Sequence, residues 1–209
     1  MEWPLFDLRL RCGPVSLRPV TDADLPRLSA ILPDDLEHDP RVERFVGLDG
    51  DRDHRRLMVQ GIWRARGTWS PAKWCLDLAV EHGGRLVGVQ ALEGDDFVTL
   101  RTVDSYSWLV ADARGKGLGV AMRTAVLGLA FDHLGAVAAV SSAVLDNAAS
   151  LGVSRRLGYA DNGLSRTSST NGVVELQHLR LTREVWAAAG HHVEVSGLEP
   201  CLPWFGLSD

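Results

Sequence analysis

The residues best able to do chemistry in this 209-residue chain lie in the stretch Ala113-Arg114-Gly115-Lys116-Gly117-Leu118-Gly119-Val120, between a strand-like run and a long apolar helix-like run. A glycine-rich turn from strand into helix points successive backbone N–H groups outward at the positive end of the helix dipole. That is an anion site, most often for phosphate. Glycine serves there because a β-carbon would hold phosphate oxygens away and because some of these positions call for φ above zero. Arg114 and Lys116 add charge from the rim. A P-loop is excluded, because its lysine precedes Ser or Thr and Lys116 precedes Gly117. A dinucleotide fingerprint fits poorly: counted from Gly117, Met122 stands where its third glycine or alanine would fall. A dinucleotide-binding protein is therefore a remote alternative.

The flanking elements must position this turn. Thr102 to Val110 alternates as a strand with Asp104, Tyr106, Trp108 and Val110 on one face; Leu118 to Leu134 is apolar almost all round, as in a helix buried on more than one side; and Val137 to Val140 reads as a covered strand. Strand, helix and strand make a right-handed βαβ crossover with the glycines at its turn. Upstream, Val15 to Val20 is a short strand, Thr21 to Asp24 supplies capping chemistry for a helix, and His54 to Arg66 is a second helix. Trp74 to Val80 and Arg85 to Leu92 form an antiparallel pair about Gly83-Gly84, followed by a polar connection from Glu93 to Leu100. Downstream, Asn147 caps a helix over 148–157 that Gly158 terminates, and Asn171-Gly172 joins a hairpin of 163–170 and 173–181.

Composition narrows the function. A net charge of −5 with no basic cluster argues against nucleic acid as a partner. The absence of a leader-like start and of a long apolar run argues against a membrane and for a cytoplasmic protein. Cys12, Cys75 and Cys201 are too far apart for a metal site and read as apolar fillers. Residues 33–53 hold eight acids against three arginines.

Arg114-Gly115-Lys116-Gly117-Leu118-Gly119 matches the turn [RQ]-x-x-G-x-[GA]; Asn147-Ala148-Ala149-Ser150 and Leu157-Gly158-Tyr159 follow at fitting intervals. In these three elements the chain resembles the GNAT N-acetyltransferase superfamily, in its RimJ/RimL-type branch. The resemblance runs from about Val15 to Trp186 and is strongest over 103–159. It implies an α+β fold, a mixed, mostly antiparallel twisted sheet of about six to seven strands with a central βαβ unit and splayed strands, flanked by helices. One domain would span 1–190, and the apolar tail 191–209, with Leu198, Leu202, Trp204 and Phe205, would pack on it or on a second subunit of a homodimer.

The resemblance also implies acetyl-CoA as cosubstrate, with no metal. Trp108, Leu109 and Val110 would line the pantetheine; Arg114, Gly115, Lys116, Gly117, Leu118, Gly119 and Val120 would hold the pyrophosphate; Ser150 would lie near the sulfur, and Asn147 would be both a helix cap and a cofactor contact. A thioester is already activated, so the acetyl group passes directly to a primary amine, of a peptide N-terminus or a small cationic molecule, without a covalent intermediate. The oxyanion donor would be a backbone N–H near Leu109 or Val110. Ser150 is the expected thiolate acid, because Ser154 stands where many members carry a tyrosine. Asp104 is the first candidate base and Glu93 the second, with His38, His54 and His178 behind them. The acidic stretch would border the acceptor side and gather cations, with Trp63, Trp69 and Trp74 lining a pocket or anchoring it. The missing tyrosine also leaves a non-catalytic acyl-CoA sensor as the alternative reading.

Overall fold

The computed structural model describes residues 3–36, 42–170 and 172–207. In chain order its elements are β1 (Arg9–Cys12), β2 (Val15–Pro19), α1 (Leu25–Ala30), α2 (Gly50–Gly67), β3 (Lys73–His82), β4 (Arg85–Asp95), α3 (Phe97–Leu100), β5 (Thr102–Asp104), β6 (Ser107–Leu109), α4 (Leu118–Gly128), β7 (Ala138–Val144), α5 (Ala148–Arg156), β8 (Ala160–Ser169), β9 (Gly172–Thr182), α6 (Arg183–Ala189) and β10 (Glu194–Ser196). The strands form one sheet in the order β10-β1-β2-β3-β4-β5-β7-β9-β8, with β6 also paired to β4. Every pair is antiparallel except β5 with β7.

The two faces of β3 separate the layers. Trp74, Leu76, Leu78 and Val80 pack with Met122, Ala125, Val126 and Leu127 of α4, which explains why that helix is apolar all round. On the opposite face Ala79, Val89 and Trp108 pack with Leu25 and Leu28 of α1 and Ile62 of α2. A reciprocal capping box between Thr21 and Asp24 closes the 3-10 turn Asp22–Asp24 that leads into α1, and Arg18 grips the Asp24 carboxylate with two bonds of 2.7 Å.

Three elements differ from the sequence reading. The strand read over Thr102 to Val110 is broken at Ser105-Tyr106 into β5 and β6, although both halves keep one register on β4, with Glu93 opposite Asp104 and Gln90 opposite Ser107. The connection read over 93–100 is ordered structure: β4 runs on to Asp95 and α3 follows, because Phe97 is fully buried against Trp74 with ring centroids 5.2 Å apart. The sheet is also wider than expected, since the tail contributes β10 on the edge of β1. Beyond β10, Cys201 and Phe205 are fully buried and Trp69 Nε1 donates to Trp204 O at 2.8 Å, so the tail is seated on its own chain. The 163–170/173–181 hairpin is present as β8 and β9; Asn171 lies outside the described residues.

Candidate functional site

Strands β5 and β7 pair over Thr102↔Ala138 and Val103↔Ala139 only. Past Val103, β6 stays on β4 while β7 stays on β9, so a wedge opens between β6 and β7. Val110 N–H donates to Val87 O and Tyr106 O accepts from Ala91 N–H, which directs the even-numbered residues of β6 toward β4. By antiparallel alternation the backbone groups of Leu109 point the other way, into the wedge. Leu109 O is taken by Arg114 Nε at 2.9 Å, which leaves the Leu109 N–H as the donor facing the gap. Val110 was read from the sequence as an equal candidate for that donor, but its N–H is committed to the sheet.

The glycine turn closes the end of β6. Gly115 and Gly117 have φ of 72° and 79°, and a β-carbon on either would meet open space, so their role is conformational and leaves room for a ligand. Gly119 differs: a β-carbon there would lie 3.3 Å from Val153 Cγ2, so this glycine brings α4 against α5. Gly117 is the N-cap of α4 without a side-chain cap, and only Val120 and Ala121 of the first turn reach its carbonyl. The N–H groups of Leu118 and Gly119 therefore have no partner within the helix. Lys116 is exposed at the rim. The Arg114 head group is paired with both Asp35 oxygens, at 2.5 and 2.8 Å, which joins Asp35 to the turn.

Because β5 and β7 are parallel, α5 starts on the same side of the sheet as the turn. Asn147 caps it, with Oδ1 accepting from Ser150 N–H at 3.0 Å. Ser150 is half-buried in the first turn. Ser154, one turn further along the same face of α5, is fully buried, donating to Ser150 O at 3.2 Å and accepting from Arg123 Nη1 at 2.8 Å. Arg123 and Tyr159 are each 4% exposed, and the Arg123 Nε and the Tyr159 hydroxyl have no hydrogen-bond partner.

On the α1/α2 face, a pocket of about 400 Å³ opens below the wedge, lined among others by Ala65, Thr68, Trp74, Cys75, Glu93, Asp104 and Val140. Glu93 and Asp104 are cross-strand neighbours there, and the next rung holds Asp77 and Tyr106 on either side of Ala91. The Tyr106 phenol donates to Asp77 Oδ1. Burial pushes Asp77 up to about 6, opposed by that hydrogen bond and by the charge of Arg66. Burial raises Glu93 as well, helped by the charges of Asp104 and Asp77. Asp104, though solvent reaches its edge, is also raised by desolvation, against the Ser105 N–H and the charges of Arg123 and His178. Burial holds the Cys75 thiol far above its ordinary value, so it stays protonated and is no nucleophile.

Asp77, Tyr106 and Arg123 were not singled out from the sequence. The available signals were a carboxylate in an otherwise apolar strand and a lone arginine in an apolar helix. The acidic stretch, by contrast, contributes structure: Asp35 holds Arg114, Asp49 caps α2, and Asp53, 1% exposed, is gripped by Arg44 and Arg56. Glu37, His38 and Asp39 lie outside the described residues. His178 sits 2.6 Å from Ser165 Oγ on the β8/β9 pair. Trp63 is half-exposed, with Nε1 3.3 Å from Asp22, whereas Trp69 and Trp74 stack at 5.8 Å inside the aromatic cluster under the tail.

Comparison with known proteins gives a consistent picture. The family model described as an acetyltransferase (GNAT) domain matches residues 15–160. Among solved structures, Mycobacterium smegmatis RimJ in complex with a CoA disulfide superposes with a TM-score of 0.71 at 20% identity, covering 93% of this chain and 99% of that one. RimL, a ribosomal-protein α-N-acetyltransferase, in complex with coenzyme A gives 0.62 at 14% identity, covering 81% and 94%. The spermidine/spermine N-acetyltransferase SpeG of Vibrio cholerae gives 0.65 at 11% identity, covering 86% and 99%. At these identities the likeness is one of fold. No helix among the described residues is long and apolar enough to cross a membrane.

Proposed function

Because the chain belongs to the GNAT acetyltransferase family, we propose that it transfers an acetyl group from acetyl-CoA directly to a primary amine, of a peptide N-terminus or a small cationic molecule. The observation that carries this reading is the wedge between β6 and β7, with the Leu109 N–H facing into it and an uncapped helix start at its end. The pyrophosphate would lie on the N–H groups of the 115–119 turn, with Lys116 at the rim. The pantetheine would run along the open edge of β6 at Ser107 and Leu109, as an added strand does on a free sheet edge.

The Leu109 N–H would then stabilise the developing oxyanion, an interaction worth about 10²–10³ in rate where a single donor has been removed from other enzymes. Ser150, in the first turn of α5, would protonate the departing thiolate. The acceptor would enter from the opposite side through the pocket lined by Glu93 and Asp104, whose two carboxylates favour a cationic amine and can take its proton. The fold neighbours include both a protein N-terminal acetyltransferase and a polyamine acetyltransferase, so likeness of fold favours neither acceptor.

The test is thermal stabilisation by acetyl-CoA, CoA, NAD and ATP at matched concentrations, followed by CoA release with 1,4-diaminobutane and with a tripeptide bearing a free N-terminus. A ligand at ~100 times its Kd adds ~2.7 kcal/mol to folding stability. Stabilisation by the two CoA species alone, with turnover of at least one amine, is expected. Stabilisation by NAD or ATP without CoA overturns the reading.

A further inference from the structure

One cross-strand row runs through the Glu93–Asp104 pocket and on across the open face of the sheet. Cys75 of β3 stands opposite Glu93 of β4, and Glu93 opposite Asp104 of β5. The pairs Thr102↔Ala138 and Val103↔Ala139 bring Val140 of β7 to the level of Asp104, and Val140 lines the pocket together with both acids. Val140 in turn stands opposite Arg180 of β9, and Arg180 opposite Ala160 of β8. Residues paired in this way project to one face of the sheet. The alternation of β9 agrees: Leu179 and Leu181 are buried in the core with α4, so Arg180 between them projects to the opposite face, the face of the pocket. Read across the strands, the row is two carboxylates, one apolar residue and a guanidinium.

Three cations lie along this face, and two are committed. Lys73 pairs with Asp95 at 3.0 Å, and His178 sits 2.6 Å from Ser165 Oγ. Arg180 is exposed and has neither a hydrogen-bond nor an ion-pair partner among the described residues; Glu184 of α6, an acid on which it acts, makes no ion pair with it. A free guanidinium is a rigid fork that takes a carboxylate through two parallel bonds. Neighbouring strands lie about 4.8 Å apart, so the backbones of Asp104 and Arg180 are about 10 Å apart. Two extended residues span about 7 Å, and a charge-assisted hydrogen bond of about 2.8 Å at either end closes the remainder. We propose that Arg180 selects an acceptor that carries a carboxylate about two residues from its amine. The ammonium then rests on the Glu93–Asp104 pair, the carboxylate on the Arg180 fork, and the intervening chain on Val140. A diamine of the same length would instead place its second ammonium against Arg180 and is disfavoured. The carboxylate has two sources, the free C-terminus of a dipeptide or an acidic side chain at the second residue of a longer peptide. The inference rests on reading the pocket as the acceptor site.

The experiment compares four probes, glycylglycine, glycylglycinamide, the α-amide of glycylaspartic acid and 1,4-diaminobutane, on the wild type, Arg180→Gln and Arg180→Glu. Two quantities are measured: kcat/KM with acetyl-CoA, and equilibrium binding of each probe in the presence of CoA by ligand-observed NMR. The wild type is expected to prefer one or both carboxylate-bearing probes over glycylglycinamide by about 10- to 100-fold. Preference for glycylglycine identifies the free C-terminus as the group read, and preference for the aspartyl amide identifies the side chain. Arg180→Gln is expected to lose the preference, with Tm and CoA affinity unchanged because Arg180 has no partner within the protein. Arg180→Glu is expected to reverse the order and favour 1,4-diaminobutane, a change that a merely structural role would not produce. Equal use of glycylglycine and its amide by the wild type, binding of neither, or a preference that Arg180→Gln leaves in place overturns the inference. Because the binding arm needs no turnover, a preference that depends on Arg180 without acetylation of any amine would support the inference and count against the proposed function alone.

Discussion

The phenol of Tyr106 donates its hydrogen bond to the carboxylate of Asp77 across Ala91, whose methyl side chain separates them in the sheet. A larger residue at 91 would stand between them. The pair couples the broken strand, where β5 becomes β6, to the middle of the sheet.

Asp77 makes folding pH-dependent. Its affinity for the proton is raised on folding, to about 6, so the folded state binds that proton more tightly than the unfolded chain. The contribution is fully present below about pH 4 and is lost as the pH rises to about 6, a change of about 3 kcal/mol for this group alone. Asp77→Asn, whose amide oxygen still accepts from Tyr106, should flatten Tm against pH over that interval. A slope as steep as that of the wild type would exclude Asp77 as its source.

The three glycines of the turn should separate by readout. Gly115→Ala and Gly117→Ala force left-handed backbone onto alanine, costing about 1–2 kcal/mol each, and should weaken CoA binding at least tenfold. Gly119→Ala presses on Val153 and should lower Tm with a smaller effect on CoA. Calorimetric titration with CoA alongside thermal unfolding checks both.

Ser150→Ala should lower kcat about tenfold to a hundredfold with the CoA Kd unchanged, since the Asn147 cap uses the backbone N–H of Ser150 and not its hydroxyl. An equal loss in CoA affinity would make Ser150 a binding residue instead.

Arg123 and Ser154 form a buried polar pair. Ser154→Ala strips one partner from a buried cation and should cost about 1–3 kcal/mol. Arg123→Met combined with Ser154→Ala should cost less than the sum of the single changes, because the charge leaves together with its partner. Chemical denaturation of the four proteins in this cycle measures the coupling.

Much of the site was legible in the sequence because its signals are local. The glycine spacing, the apolar helix behind it and the Asn147 cap each follow from a few adjacent residues, and each is present. The break at Ser105-Tyr106 was not legible, because residues 102–110 carry an unbroken alternation and the interruption arises from the two-residue pairing of β5 with β7. The Arg114–Asp35 pair was not legible, because the two residues lie 79 positions apart in the chain. The Asp77–Tyr106 bond depends on which strands become neighbours. Arg123 stood out only as a polar interruption in α4, and its partner, Ser154 of α5, lies 31 residues further along the chain.

The most direct test of the account is the structure of the complex with acetyl-CoA. It should place the pyrophosphate on the 115–119 turn and the thioester oxygen within hydrogen-bond distance of the Leu109 N–H, with the acetyl group facing the Glu93–Asp104 pocket. A cofactor seated away from the β6/β7 wedge, with the Leu109 N–H unengaged, would contradict it.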